Sequence, residues 1–158
     1  MRFAVAGAVP ALILAACSPE PAPIAPKAPP SEPAPVLGGV DLGQPLRALG
    51  TEPFWGVDLT GTELVYAGVD RPEQRAPQPA PVVQGTTVTY EAKTGSGATI
   101  SLMLAATECS DGMSDRTYPL SAIVRIGDET LTGCAASTAA IMSRGESGSM
   151  ADAPQPVG

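Results

Sequence analysis

Proline placement limits what this chain can fold into more than any other feature. The sequence carries 18 prolines in 158 residues, and many crowd into residues 18–35, where they alternate with Ala, Glu and Ser and include Pro29-Pro30. A proline ring fixes φ and removes a backbone donor, so such a run neither continues a helix nor completes a ladder. It favours extended polyproline II and acts as a semi-rigid spacer. Residues 17–36 therefore read as a tether. At the other end, residues 137–158 are rich in Ser, Gly, Ala and Pro and read as a disordered tail. The foldable part is then residues 37–136, about 100 residues, enough for one modest core.

Within that part, apolar residues recur at every second position. Trp55, Val57 and Leu59 form one series, and Ile100, Leu102 and Leu104 another. That is the period of a half-buried strand. Residues 55–60 and 63–67 flank Gly61-Thr62 as a hairpin, and residues 120–126 and 129–135 flank Gly127-Asp128 as a second. Residues 86–92 are rich in β-branched side chains. About six strands emerge, and short ones near residues 46–49 and 82–83 raise the number to eight. Residues 70–81 hold Pro72, Pro77, Pro79 and Pro81 and read as a loop. No segment carries a convincing helical pattern. The expected fold class is all-β, a small antiparallel β-barrel or sandwich. A barrel leaves no open edges.

The N-terminus speaks to location. Behind Met1-Arg2 an apolar run continues to Ala16, shorter than the about 20 residues that span a bilayer. Residues 1–16 thus read as a signal peptide removed on export. The run closes on Leu14-Ala15-Ala16-Cys17, which resembles the lipobox of bacterial lipoproteins. The resemblance implies that Cys17 is acylated (palmitate-type chains) and that the mature protein is anchored to a membrane through its N-terminal lipid. Ser18, where Asp would signal retention, implies the outer membrane of a Gram-negative envelope, with the domain facing the periplasm. An ordinary secretion signal with an incidental cysteine is the alternative.

The formal charge is −7, and removal of Arg2 with the signal makes the mature chain more acidic still. An acidic chain without a basic stripe is a poor nucleic-acid binder, whereas its field attracts a basic partner. The sequence has no histidine. That excludes a histidine general base, Ser-His-Asp and Cys-His nucleophiles and histidine-based zinc sites. No cofactor is expected. With Cys17 lipidated, Cys109 and Cys134 remain, and an even pair in an exported protein reads as a disulfide. A redox or metal-binding thiol pair is the alternative, with neither CxxC spacing nor histidine to support it.

Two strings stand apart from the strand pattern. Residues 109–119 form the densest polar loop, with Asp111, Ser114, Asp115 and Tyr118 as candidate recognition residues. Gly112 permits a sharp turn, and Asp111 and Ser114 can accept from nearby backbone N–H groups, so the loop also reads as a turn stapled by its own side chains. Asp111 and Asp115, facing each other across the turn, are the carboxylate pair that calcium binding or glycoside hydrolysis needs. The D-x-D-x-D-G order is missing and nothing sets their separation, so no catalytic or metal residue is assigned. Residues 51–55 hold the sole tryptophan and one of two phenylalanines. Phe54 and Trp55 are adjacent in a strand and must face opposite sides. One is expected in the core, the other outside it or serving as a ligand-stacking platform.

Gly50-Thr-Glu-Pro-Phe-Trp55, Cys109-Ser-Asp-Gly-Met-Ser-Asp115, Tyr118-Pro119 and Gly133-Cys134 together resemble the pattern of an uncharacterised family of bacterial envelope lipoproteins, across roughly residues 46–135. That family is similar in architecture to the membrane-bound inhibitors of C-type lysozyme, which are small disulfide-stapled β-barrels on lipid anchors. The resemblance implies a non-enzymatic binding module and, by analogy of architecture, a loop that engages a cationic lysozyme. The inhibitors' own cysteine and lysine-bearing motifs are not evident, so none of their contact residues is carried across. Three function classes follow: a module binding a basic envelope protein or cell-wall material, a structural or envelope-integrity lipoprotein, and a carboxylate-dependent enzyme using Asp111 and Asp115.

Overall fold

The computed structural model describes residues 33–145 and 147–151. The expected signal peptide (residues 1–16), the expected lipidation site Cys17, residues 18–32 of the expected tether, residue 146 and residues 152–158 lie outside the described residues. The chain begins with a small hairpin, β1 (Val36–Leu37) and β2 (Val40–Asp41). It continues through β3 (Leu46–Thr51), β4 (Phe54–Leu59), β5 (Glu63–Gly68) and β6 (Arg71–Pro77). Next come β7 (Val82–Gln84), β8 (Thr87–Lys93) and β9 (Thr99–Ala105). Two short strands, β10 (Cys109–Ser110) and β11 (Asp115–Tyr118), precede the long hairpin of β12 (Leu120–Ile126) and β13 (Glu129–Ser137). Helix α1 (Thr138–Ser143) and β14 (Ser147–Ser149) follow.

Nine strands form one antiparallel sheet in the order β6-β5-β4-β3-β13-β12-β9-β8-β7. The sheet curls into a half-barrel. Its curl carries β6 toward the end of β8, where the Gly95 N–H donates to the Arg75 carbonyl at 3.3 Å. The period-two alternation places Ile100, Leu102 and Leu104 of β9 and Leu120, Ala122, Val124 and Ile126 of β12 on the inner face, all buried. Burying each large apolar side chain contributes about 1.5–3 kcal/mol. The β1–β2 hairpin adds Leu37, Val40 and Leu42 to this interior.

Strand β13 is buried on both faces from Cys134 to Ser137. Its Leu131 and Ala135 belong to the interior cluster, whereas Cys134 and Ala136 join a second cluster with Tyr118, Ile141 and Met150. That second cluster lies under a small sheet, β10-β11-β14, in which β11 and β14 run parallel. The Cys109–Cys134 disulfide joins this small sheet to β13, with the two Cα atoms 5.5 Å apart.

The structure differs from the sequence reading at four places. Residues 70–81 were expected to form a loop, yet β6 occupies Arg71–Pro77. It pairs only with β5 and lies at the sheet edge, where a proline without an N–H is tolerated. The disordered tail was expected from residue 137, but the described part of it is ordered. Ser137 caps α1, its Oγ accepting from Ala140 N–H at 3.1 Å, and Met150 is fully buried. The tether was expected to reach residue 36, but Val36 is in β1 and the Pro35 carbonyl accepts from Leu42 N–H at 3.0 Å. Finally, the large sheet has nine strands, because both short candidates and β6 join it. None of the described helices is long and apolar enough to cross a membrane.

The disulfide closes a loop of 25 residues, which in the chain-entropy model stabilises by about 3.5 kcal/mol. Cys109→Ser should therefore lower stability by about 3 kcal/mol in urea titrations under oxidising conditions. An unchanged midpoint and slope would show that the bond contributes nothing.

Candidate functional site

The two strings singled out in the sequence meet in space. The β3–β4 turn carries Gly50, Thr51 and Glu52, and the segment from Cys109 to Met113 stands opposite. Between them lies a cleft of about 480 Å³ with Thr132 and Gly133 also in its wall. A hydrogen bond ties the walls together, from Thr51 Oγ1 to the Asp111 carbonyl at 2.9 Å.

Asp111 organises the loop. Its Oδ1 accepts from the backbone N–H groups of Met113 at 3.0 Å and Ser114 at 2.8 Å. Its Oδ2 accepts from Ser114 Oγ at 2.7 Å and from the Tyr118 hydroxyl at 3.0 Å. Those four donors use the lone pairs a carboxylate offers. Burial by itself raises the carboxyl pKa, but the bonds from Ser114, Met113 and Tyr118 outweigh it and hold Asp111 at about 2. Burial pushes the Tyr118 hydroxyl above the ordinary tyrosine value; Arg116 lowers it and Asp111 raises it, and it serves as a donor.

Asp111 and Asp115 do not form the facing pair considered above. Asp111 turns to Ser114 and Tyr118, and Asp115 is an exposed residue of β11 opposite Ser147. Among the described residues, no group of three or more His, Cys, Asp or Glu side chains is placed to hold a metal ion.

Phe54 and Trp55 face opposite sides, as adjacent strand residues must. Trp55 is 5% exposed and belongs to the interior cluster, while Phe54 is 53% exposed. The indole lies across the inner faces of β3 and β13, and its Nε1 donates to the Thr132 carbonyl at 3.3 Å. Gly50 and Gly133 are the residues beneath it. A Cβ on Gly133 would stand 2.9 Å from indole Cζ2 and overlap the Leu49 carbonyl. A Cβ on Gly50 would come within 2.7 Å of indole Cε2 and overlap its nitrogen. Gly50, Trp55 and Gly133 are thus one packing unit, and Cys134 beside it carries the disulfide.

Most residues of the two strings therefore hold the cleft together. Those left exposed are Glu52, Pro53 and Phe54 in one string and Ser110, Gly112, Met113 and Asp115 in the other, with Met113 67% exposed. Sequence reasoning named Phe54 but passed over Glu52 and Met113 as presented groups. Met113 carried a signal, since a large apolar side chain at the tip of a polar Gly turn has no local partner to bury against.

A scan against family models, a search of the curated proteins and a search of the solved structures each gave no match.

Two outcomes test this geometry. Gly133→Ala should cost about 3 kcal/mol, because the backbone carbonyl it strikes belongs to the β3–β13 ladder and cannot yield; chemical denaturation measures it. The folded pKa of Asp111 lies below its unfolded value, so its contribution is present above about pH 4 and is lost as pH falls toward 2. An acid titration should show wild type losing stability across that window. Asp111→Asn should be less stable at neutral pH and show a flatter profile there.

Proposed function

We propose that this protein is a lipid-anchored envelope lipoprotein that works as a non-enzymatic binding module. Its cleft between the β3–β4 turn and the Asp111 loop receives a basic partner, and a C-type lysozyme is the foremost candidate. The observation that carries the reading is the cleft itself. Its walls are braced by the disulfide and by the Thr51–Asp111 bond, it carries Glu52 and Asp111 with no cationic side chain, and Met113 stands exposed at its rim. An exposed apolar group beside fixed acidic groups is what a recognition surface for a cationic protein requires. The overall charge of −7 favours encounter with such a partner and disfavours nucleic acid.

The internal bonding of Asp111 supports binding over catalysis. A carboxylate with its acceptor sites filled and a pKa of about 2 is poorly suited to move a proton near neutral pH. The anchor belongs to the same proposal. Cys17 carries the lipid, the proline-rich stretch spaces the domain from the outer membrane, and the domain faces the periplasm.

Binding is measured by surface plasmon resonance against a C-type lysozyme and by pull-down from an envelope extract, beside a sugar-polymer pull-down for cell-wall material. Glu52→Lys and Met113→Glu should each weaken lysozyme binding at least about tenfold while leaving the melting temperature unchanged. No retention under conditions where a known lysozyme inhibitor is retained would sink the lysozyme assignment. Indifference to both substitutions would sink the cleft and favour the structural-lipoprotein class. Metabolic labelling with an alkynyl palmitate should mark wild type and leave Cys17→Ser unmarked; equal labelling would exclude Cys17 as the lipidation site.

A further inference from the structure

Phe54, read from the sequence as a candidate stacking platform, does not line the cleft. It walls a separate groove of about 500 Å³ on the outer face of β3, β4 and β5. That volume lies within the range of small-ligand sites. Strand alternation decides what the groove presents. Arg47 and Leu49 of β3, Phe54, Gly56 and Asp58 of β4 and Ala67 of β5 point outward, because Ala48, Val57 and Tyr66 between them are buried in the interior. Val69, also exposed, stands beside Phe54, its N–H donating to the Phe54 carbonyl at 3.1 Å.

The outer row of β4 sets an aromatic ring and a carboxylate on either side of a residue without a side chain. A Cβ on Gly56 would lie 3.4 Å from Arg47 Nη2, so the guanidinium extends over that bare backbone. Arg47 Nη1 donates to both carboxylate oxygens of Asp58 at 3.0 Å. This bond pins the guanidinium by one corner. Its Nε and Nη2 hydrogens have no hydrogen-bond partner among the described residues, and each Asp58 oxygen keeps a lone pair. The two side chains are the charged groups of the groove, and their charges cancel. The rest of the lining is largely apolar.

We infer that this groove binds an N-acetylated pyranose within a neutral sugar strand, the chemistry of cell-wall glycan. A pyranose has an apolar C–H face and a polar rim, and the groove offers a matching surface to each. The C–H face stacks on the Phe54 ring, whose face carries the negative end of the aromatic quadrupole. The acetamido carbonyl accepts from Arg47 Nη2, and a ring hydroxyl donates to Asp58. The acetyl methyl rests against Ala67 and Val69. An ion fits worse, because it meets a like charge wherever it meets an opposite one. A wholly apolar occupant would cover the unspent Arg47 donors without satisfying them. The groove shares only Gly50 and Thr51 with the cleft, so this site stands or falls apart from the binding of a basic protein.

The test follows Trp55 in the full chain, since the sole tryptophan also lines the groove. A β-linked trimer of N-acetylglucosamine should give a saturable change in tryptophan emission and shift the amide NMR signals of Phe54, Gly56 and Val69. The β-linked trimer of glucose, which lacks the acetamido carbonyl, should bind about tenfold more weakly. Phe54→Ala should weaken the acetylated trimer about fivefold, and Arg47→Met, which keeps the stem and removes the donors, about tenfold. Arg47→Lys serves if Arg47→Met proves unstable, and should also weaken binding, because a lysine ammonium does not reproduce the fork. Equal affinity for the glucose trimer or for a capped trialanine peptide, unchanged affinity in the variants, or no saturation at millimolar concentration would overturn the assignment. Glu52→Lys alters the cleft and not the groove, and the sugar titration should be unchanged in it.

Discussion

The bond between Cys109 and Cys134 joins two layers that otherwise meet through a few side chains. On one side is the half-barrel, whose interior is a large apolar cluster. On the other is a small sheet, where among the described residues Tyr118, Ile141 and Met150 bury beside the cysteines, Ala136 and the partly buried Leu49. Such a cluster is too small to hold a layer by hydrophobic burial alone. The disulfide restricts the unfolded chain and fixes Cys109 against β13, and the loop from Cys109 to Tyr118 is then held at both ends. The Asp111 hydrogen bonds, the Thr51 contact and the cleft all follow from that placement.

The two sequence strings divide into groups that build and groups that are presented. Gly50, Trp55 and Gly133 form a packing unit in which an indole crosses two strands over residues that lack side chains. Asp111, Ser114 and Tyr118 spend their polar atoms on one another. Glu52, Phe54 and Met113 remain outward, on a turn and a loop held firmly from behind. A rigid mounting lowers the ordering cost of binding, so in the proposed binding module the inward residues would act by restraining the outward ones.

Much of the fold was legible because its signal is local. The alternation of Ile100, Leu102 and Leu104, or of Trp55, Val57 and Leu59, states directly which face is buried. The segment with Pro72 and Pro77 was misread because proline excludes a strand only where both sides are paired, and edge position is not a property of the segment itself. Residues 137–145 and 147–151 were misread for a related reason. Ser, Ala and Gly cannot form a core alone, yet Ile141 and Met150 complete one against Tyr118, Cys134 and Ala136. The Ser137 cap was readable from its residue type followed by alanines, though a helix of one or two turns stands only when packed.

By itself the sequence determined the strand alternation, the absence of histidine chemistry, the acidic charge and the opposition of Phe54 to Trp55, since each depends on composition or on the two-residue period of a strand. It also supplied the cysteine pair, though not the layers that the pair connects. The local turn in which Asp111 binds Met113 and Ser114 was readable from the residue types, but tertiary structure decided that Asp111 also receives the Tyr118 hydroxyl and does not face Asp115. It alone brought residues 50–52 against residues 109–113 and set Gly133 beneath the indole. Those outcomes depend on register and curl, which arise from the summed packing of strands distant in the chain, and no local pattern encodes them.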